Sequence, residues 1–84
     1  MKKILIIGGS SGLGSYLTRL YYKNNYDVTT LSRNLNSSFS KKINQIKCDV
    51  TNSNKLKTIL KNFKKNKISF DIIIHNVGGS KKNL

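Results

Sequence analysis

The sequence contains no proline and no glutamate, and it has one cysteine and one histidine among 84 residues. A single cysteine, Cys48, excludes a disulfide within the chain, and with only His75 beside it the ligand spacing of a metal site is missing. Without proline, no predicted strand is interrupted by a residue that cannot donate to a sheet. These absences exclude a disulfide-stabilised scaffold and a zinc-type domain.

Negative charge is scarce, because three acidic residues stand against 16 lysines and arginines, for a net charge of +13. A basic domain gains affinity for nucleic acid by releasing counterions from phosphates. The basic residues are spread along a chain that is rich in lysine, asparagine and isoleucine, and the sequence has no helix-turn-helix, zinc or RNA-binding aromatic motif. These observations favour compositional bias as the explanation of the positive charge. Nucleic acid is therefore not the expected partner, and a non-enzymatic basic interaction domain that binds nucleic acid or a partner chain is the alternative hypothesis.

Long hydrophobic runs are missing as well. The apolar run at residues 4–7 ends at two glycines and is too short for a signal peptide, and no segment is long enough to span a membrane. We therefore expect a cytoplasmic protein without membrane contact. A chain of this length forms one domain at most, and it buries only a little over ~60 % of its unfolded surface.

Apolar runs rich in β-branched residues predict strands that are buried on both faces. Such runs occupy residues 3–7, 26–31 and 70–74, and residues 43–48 contain a further brief strand. Residues 34–42 are polar and predict a loop or one short helix.

Between these strands the apolar period changes to that of a helix. The first helix begins at Gly12 and ends near Lys23, and its predicted apolar stripe is Leu13, Leu17, Leu20 and Tyr21. A second helix opens at Ser53 or Thr51 as N-cap, and its apolar face is Leu56, Ile59, Leu60 and Phe63. Strands that alternate with helices predict β-α-β units and a parallel sheet.

Residues 6–14, IIGGSSGLG, join the first strand to the first helix, and this is the context in which a glycine pattern binds phosphate. Gly8 permits a tight turn, Gly12 lets a pyrophosphate approach the backbone, and Gly14 permits close packing of the helix.

The groups that would meet the phosphate lie between and after these glycines. The N–H groups around Leu13 would face the negative charge, and the hydroxyls of Ser10 and Ser11 can donate to phosphate or ribose. The other interpretation is a glycine-rich loop without a ligand.

The spacing G-x-x-x-G-x-G resembles the TGxxxGxG signature of the short-chain dehydrogenase/reductase family, with Ile7 at the position of the threonine. The later segments LSRN, CDVTN and DIIIHNVGG follow in the family's order. The resemblance implies an α/β fold, the first half of a three-layer Rossmann-like domain. Its parallel four-stranded sheet would have the order 3-2-1-4, with helices on both faces.

The segment LSRN follows the second strand, where NAD-preferring folds place an acidic residue that accepts from the ribose hydroxyls. This chain has Ser32 and Arg33 there, and an arginine can pair bidentately with a 2′-phosphate. The cofactor is therefore predicted to be NADP, with NAD possible. The alternative is that Arg33 is a solvated surface residue.

The resemblance also implies contacts to the adenosine. By position, Asp49 and Val50 would contact the adenine ring, and Asn76, Val77 and Gly78 would lie along the cofactor's ribose. Asp49 can alternatively cap the next helix. Without a partner carboxylate or nucleophile in the motif, the histidine before Asn76 is interpreted as structural.

The family's catalytic pair, Y-x-x-x-K, is absent, because no tyrosine of this sequence is followed by lysine four residues later. We therefore assign no catalytic residue. The expectation is a partial NAD(P)-binding domain over residues 1–84 that is inactive alone, either a truncated gene, a fragment or a chain completed by a second polypeptide. The last strand would then have an open edge, which invites self-association or a complementing chain.

Overall fold

The computed structural model describes residues 1–76 as a four-stranded parallel sheet with one helix on each face. The elements are β1 (Lys3–Ile7), α1 (Gly12–Lys23), β2 (Asp27–Ser32), β3 (Asn44–Lys47), α2 (Ser53–Lys65) and β4 (Ile72–His75). The strands lie in the order β3-β2-β1-β4, so the predicted fold is confirmed. Val77 and Gly78 lie outside the described residues.

β1 forms the centre of the core, and its apolar run is divided between the two faces of the sheet. Ile4 and Ile6 pack with the residues of α1, whereas Leu5 and Ile7 pack with those of α2. Successive side chains of a strand point to opposite faces, so a strand that is covered on both sides needs an unbroken apolar run. Each of these side chains is at most 5 % exposed, and such burial contributes about 1.5–3 kcal/mol per side chain.

The apolar stripe predicted for α1 is wrong at two of its positions. Leu13 and Leu20 are 61 % and 39 % exposed, and the positions buried against the sheet and the preceding loop are Gly14 and Thr18. Leu17 and Tyr21 pack against the core on the α1 side of the sheet, as predicted. At Gly14 the first turn of α1 lies so close to the preceding loop that an added Cβ atom would overlap the Gly8 carbonyl group.

Residues 34–42 form turns and no helix, which decides between the two predicted alternatives. Phe39 is 7 % exposed and joins the α1 side of the core together with Ile43. The guanidinium of Arg19 lies 5.0 Å from the centre of the Phe39 ring, a cation–π arrangement. A single phenylalanine in a polar segment has no periodic pattern, and sequence reasoning therefore missed this core residue.

α2 begins differently from the prediction. Asn52 is its N-cap, and the Asn52 side chain accepts from the backbone N–H of Lys55 at 3.1 Å. Ser53 is already the first helical residue, and the Thr51 hydroxyl donates to Asp49 at 2.6 Å. The Thr51 side chain bonds Asp49 in the turn before the helix, and Asn52 occupies the capping position.

β4 begins at Ile72, two residues later than predicted. Before it, Asp71 and Lys3 bond reciprocally: the N–H of Lys3 donates to the Asp71 carboxylate at 2.7 Å, and the N–H of Asp71 donates to the Lys3 carbonyl at 2.8 Å. Phe70 packs edge-to-face on Phe63 of α2, with ring centres 5.3 Å apart. These contacts align β4 with β1 and bring the residues after both strands to the same edge of the sheet.

Candidate functional site

Residues 8–11, the glycine loop, connect β1 to α1 at the carboxyl end of the sheet. Gly8 has φ +88° and Gly12 has φ +56°, both in the left-handed region that favours glycine. The N–H of Gly8 donates to the carbonyl of Leu31 at 2.6 Å, so β2 holds the start of the loop. The loop therefore leaves the sheet in a sharp turn that residues with side chains would adopt only under strain.

The other end of the glycine loop packs closely on the first turn of α1. A Cβ atom on Gly14 would lie 2.0 Å from the Gly8 carbonyl oxygen and 2.9 Å from the side-chain amide nitrogen of Asn76. A Cβ atom on Gly12 would meet no atom within 4 Å. Gly14 thus permits a close contact between loop and helix, while Gly12 borders open space in which a ligand can approach the backbone.

The N-terminus of α1 is not neutralised by its own side chains. Ser11 is the N-cap in extended conformation and makes no side-chain capping bond, and the first turn contains no acidic residue. The first N–H groups of a helix have no partner within the helix and carry partial positive charge. This end of α1 therefore offers donors to an anion.

The carboxyl ends of the strands meet in a cleft of about 300 Å³ beside the glycine loop. Its lining residues are Gly8, Ser10, Ser11, Ser32, Arg33, Asn34, Asp49, Val50, Thr51 and Asn76. Residues predicted after each of the four strands line this cleft, namely Gly8, Ser10, Ser11, Ser32, Arg33, Asp49, Val50 and Asn76. Gly12, Leu13 and Gly14 lie in the adjoining first turn of α1, and Leu13 is largely exposed.

A charged pair lies across the cleft. The Arg33 guanidinium is 3.6 Å from the Asp49 carboxylate, and their side chains are 68 % and 40 % exposed. Hydrogen bonds from the hydroxyl and the N–H of Thr51 lower the pKa of Asp49 below the ordinary 3.8, and the nearby Arg33 lowers this pKa further. Asp49 is therefore ionised at neutral pH. Because an exposed ion pair contributes little free energy, the Arg33 side chain can leave Asp49 and pair with a bound anion that carries more charge.

A larger cavity of about 520 Å³ lies between β3 and α2. It shares Arg33 and Asp49 with the cleft and adds Lys47 and Lys55, but it includes no residue of the glycine loop. The smaller cleft is therefore the one that joins the predicted phosphate and adenosine positions.

The family model described as short chain dehydrogenase matches residues 2–84. This chain belongs to the short-chain dehydrogenase family. The resemblance stated from the sequence motifs is confirmed. Members of the family are oxidoreductases that generally bind NAD or NADP, and the order and spacing of the motifs in this chain agree with that class.

Among solved structures, the chain is similar to a short chain dehydrogenase family protein from Francisella tularensis subsp. tularensis SCHU S4. The two share 29 % sequence identity with a TM-score of 0.79 over 93 % of this chain. The match covers 31 % of the Francisella protein, so the chain spans about a third of that relative's length. No match was found among curated proteins.

Two residues that the family motifs do not include contact the glycine loop of this chain. Thr18 of α1 donates to the Gly9 carbonyl at 3.1 Å, and Asn36 donates to the Ser10 carbonyl at 2.9 Å. Thr18 lies one helical turn after Gly14, a spacing that could have identified it. No sequence pattern points to Asn36, which lies 26 residues from its partner.

Other kinds of site are not found in the part of the chain that the structure describes. Within residues 1–76 there is no group of three or more histidine, cysteine, aspartate or glutamate residues that could hold a metal ion. No helix in this range is long and apolar enough to cross a membrane. His75 is exposed at the end of β4.

Proposed function

We propose that this chain binds the adenosine and pyrophosphate half of NADP in the cleft beside the glycine loop, and that it catalyses no reaction alone. The observation that carries the proposal is that Arg33 lines the same cleft as Gly8, Ser10 and Ser11. A cation that follows β2 and a donor-rich helix N-terminus are the two groups that an adenosine with a 2′-phosphate and a pyrophosphate requires.

The pyrophosphate would lie against the glycine loop and the start of α1. The free donors there are the first N–H groups of α1 and the hydroxyl of Ser11, which makes no capping bond. The open space beside Gly12 lets a phosphate come close to the backbone, as the motif requires.

The preference for NADP over NAD rests on the residues after β2. Arg33 can donate two parallel hydrogen bonds to a phosphate, and Ser32 precedes it where an NAD-binding fold would carry a carboxylate. The nearest acid on the same strand is Asp27, which lies at the opposite end of β2. At the adenine, Asp49 and Val50 line the cleft beside Arg33.

When bound, the nicotinamide of NADP supplies or accepts a hydride. The residues of this chain position only the other half of the cofactor. No tyrosine in the sequence is followed by lysine at the spacing that the family uses for acid–base catalysis. Binding without turnover is therefore the proposed activity.

A thermal-shift titration tests the proposed binding. NADP at about ten times its Kd is expected to raise the melting temperature by roughly 5–10 °C, because the ligand binds only the native state. NAD at the same concentration is expected to give a smaller shift. The absence of any shift in millimolar NADP, together with salt-sensitive DNA binding, would instead support a basic interaction domain.

The outer edge of β4 supports a second proposal, self-association of the chain by strand pairing. Among the described residues no strand pairs with this edge, and Ile73 on it is 58 % exposed. The opposite edge strand β3 (Asn44–Lys47) has the polar composition of natural edges, whereas β4 has the sequence of an interior strand.

Sedimentation velocity at two salt concentrations tests this pairing. Because the chain carries a net charge of +13, association through β4 is expected to strengthen as salt screens the repulsion. Ile73→Lys is expected to reduce it several-fold. Leu35→Lys is the matched control. Leu35 is 56 % exposed in the loop after β2, and the substitution adds the same charge as Ile73→Lys. Equal effects of both variants would count against edge pairing.

A further inference from the structure

Three consecutive carbonyl groups of the glycine loop each accept a hydrogen bond from a side chain of a different segment. Asn76, after β4, donates to Gly8 at 3.3 Å. Thr18, on α1, donates to Gly9 at 3.1 Å, and Asn36, in the loop after β2, donates to Ser10 at 2.9 Å. The loop therefore has its acceptors directed at the protein along its length.

We propose that Thr18 and Asn36 are positioning residues that turn the N–H groups of Ser10 and Ser11 toward a bound pyrophosphate. A trans peptide is planar, so the carbonyl of one residue and the N–H of the next point in opposite directions. When Thr18 holds the Gly9 carbonyl, it directs the N–H of Ser10 away from itself. Asn36 does the same for the N–H of Ser11. This inference rests on the proposed binding of a dinucleotide at the loop.

The two N–H groups concerned are available to a ligand. No acceptor in residues 1–76 takes the N–H of Ser10 or of Ser11, although both residues line the cleft. A carbonyl oxygen in the place of either N–H group would repel a phosphate. The orientation of these two peptide groups therefore decides whether the loop attracts or repels an anion. The three side-chain donors stabilise the attractive orientation before a ligand arrives.

Thr18 is rigidly placed for this task. It is fully buried, and its one hydroxyl proton is shared between the Gly9 carbonyl at 3.1 Å and the Gly14 carbonyl at 2.8 Å, so it joins the first turn of α1 to the loop. A Cβ atom on Gly9 would lie 3.0 Å from the Thr18 hydroxyl and 2.8 Å from the methyl of Thr30. Gly9 is therefore packed closely between two threonines, and a residue with a side chain would not fit at this position unless a neighbour shifted.

Asn36 is held by bonds on both its backbone and its side chain. Its N–H donates to the Gln45 side chain at 2.7 Å, and the Gln45 amide donates back to the Asn36 carbonyl at 3.0 Å. Its side-chain oxygen accepts from the N–H of Ser38 at 2.9 Å and from the Ser38 hydroxyl at 2.6 Å. Those donors orient the amide so that its NH₂ group faces Ser10.

The position of Asn36 adds a coupling between the two halves of the cleft. It follows Arg33 by three residues, so the segment that would hold the 2′-phosphate is tied to the loop that would hold the pyrophosphate. Loosening Asn36 is therefore expected to affect both halves, whereas loosening Thr18 affects the pyrophosphate half alone.

Titration of the ¹⁵N-labelled chain with inorganic pyrophosphate, followed by NMR, tests the inference. The amide resonances of Ser10 and Ser11 are expected to move in the unmodified chain. In Thr18→Val and in Asn36→Ala the apparent Kd from those resonances is expected to rise about fivefold to tenfold, the usual effect of one hydrogen bond. Thr18→Ser, which keeps the hydroxyl, is expected to restore the affinity.

Thr58→Val is the matched control for Thr18→Val. The Thr58 hydroxyl donates to the Asn54 carbonyl at 2.9 Å, as the Thr18 hydroxyl does to the carbonyl one turn earlier, and Thr58 does not line the cleft. This variant is expected to leave pyrophosphate binding unchanged. Adenosine 2′-phosphate, which has no pyrophosphate, is expected to bind Thr18→Val as it binds the unmodified chain and to bind Asn36→Ala more weakly.

The outcomes separate this inference from the proposed function. If pyrophosphate moves the two serine amides and the variants weaken it while NADP causes no thermal shift, the positioning role stands and the NADP proposal fails. If NADP binds but neither Thr18→Val nor Asn36→Ala changes the pyrophosphate Kd, the positioning role is overturned. Pyrophosphate that leaves the Ser10 and Ser11 amides unmoved in the unmodified chain overturns it as well.

Discussion

Replacing Gly14 with alanine is expected to lower the melting temperature of the chain by roughly 10–20 °C, as an overpacked site that costs about 3 kcal/mol would. The added methyl would lie 2.0 Å from the Gly8 carbonyl oxygen and 3.0 Å from its carbonyl carbon. Both are backbone atoms at the end of the central strand, and they cannot move without displacing β1. Thermal unfolding followed by circular dichroism measures the effect.

Gly12→Ala is the matched control for that prediction. It adds the same methyl two residues earlier in the same turn, where no atom lies within 4 Å. Its cost is the strain of a left-handed conformation at φ +56°, about 1–2 kcal/mol. Equal destabilisation by the two variants would mean that the close contact between Gly14 and Gly8 does not govern stability.

Arg33→Ala is expected to weaken NADP binding by about 10–100-fold and to leave NAD binding nearly unchanged. Hydrogen bonds to a charged group contribute about 1.5–3 kcal/mol, and only NADP carries the phosphate that Arg33 would hold. Isothermal titration calorimetry of both cofactors measures the ratio of their Kd values. Arg33→Asp is expected to remove the preference for NADP altogether.

Lys61→Ala separates this specific role from the loss of one charge. Lys61 is an exposed residue of α2 and does not line the cleft. The variant removes one positive charge from the same net +13. It is expected to leave the ratio of NADP to NAD affinity unchanged. Unaltered discrimination in Arg33→Ala would show that Arg33 is a solvated surface residue.

The strands were the most predictable part of this protein. β1 could be predicted because a run such as KILII is compatible with burial on both faces and with little else. The order of the strands followed from the resemblance to the family, and their parallel direction followed from the alternation of strands and helices. Boundaries were less predictable: β4 starts after Asp71 because Asp71 is bonded to Lys3, a contact between distant residues.

The errors in the helices have a common physical cause. Periodicity identifies apolar residues that could be buried, but it does not report how closely a helix approaches its neighbours. At the start of α1 the approach is so close that Gly14 and Thr18 face inward and Leu13 is exposed. At the start of α2, Thr51 bonds Asp49, and Asn52 is the cap.

By itself, the sequence determined the parallel sheet and placed a glycine motif between β1 and α1, because both depend on local composition and period. Only the tertiary structure decided that Arg33 and Asp49 share one cleft with the glycine loop. It also decided which side chains hold the loop's carbonyls, namely Thr18, Asn36 and Asn76. These bonds join residues 9, 26 and 68 positions apart, and no local pattern encodes which distant donor reaches a given carbonyl.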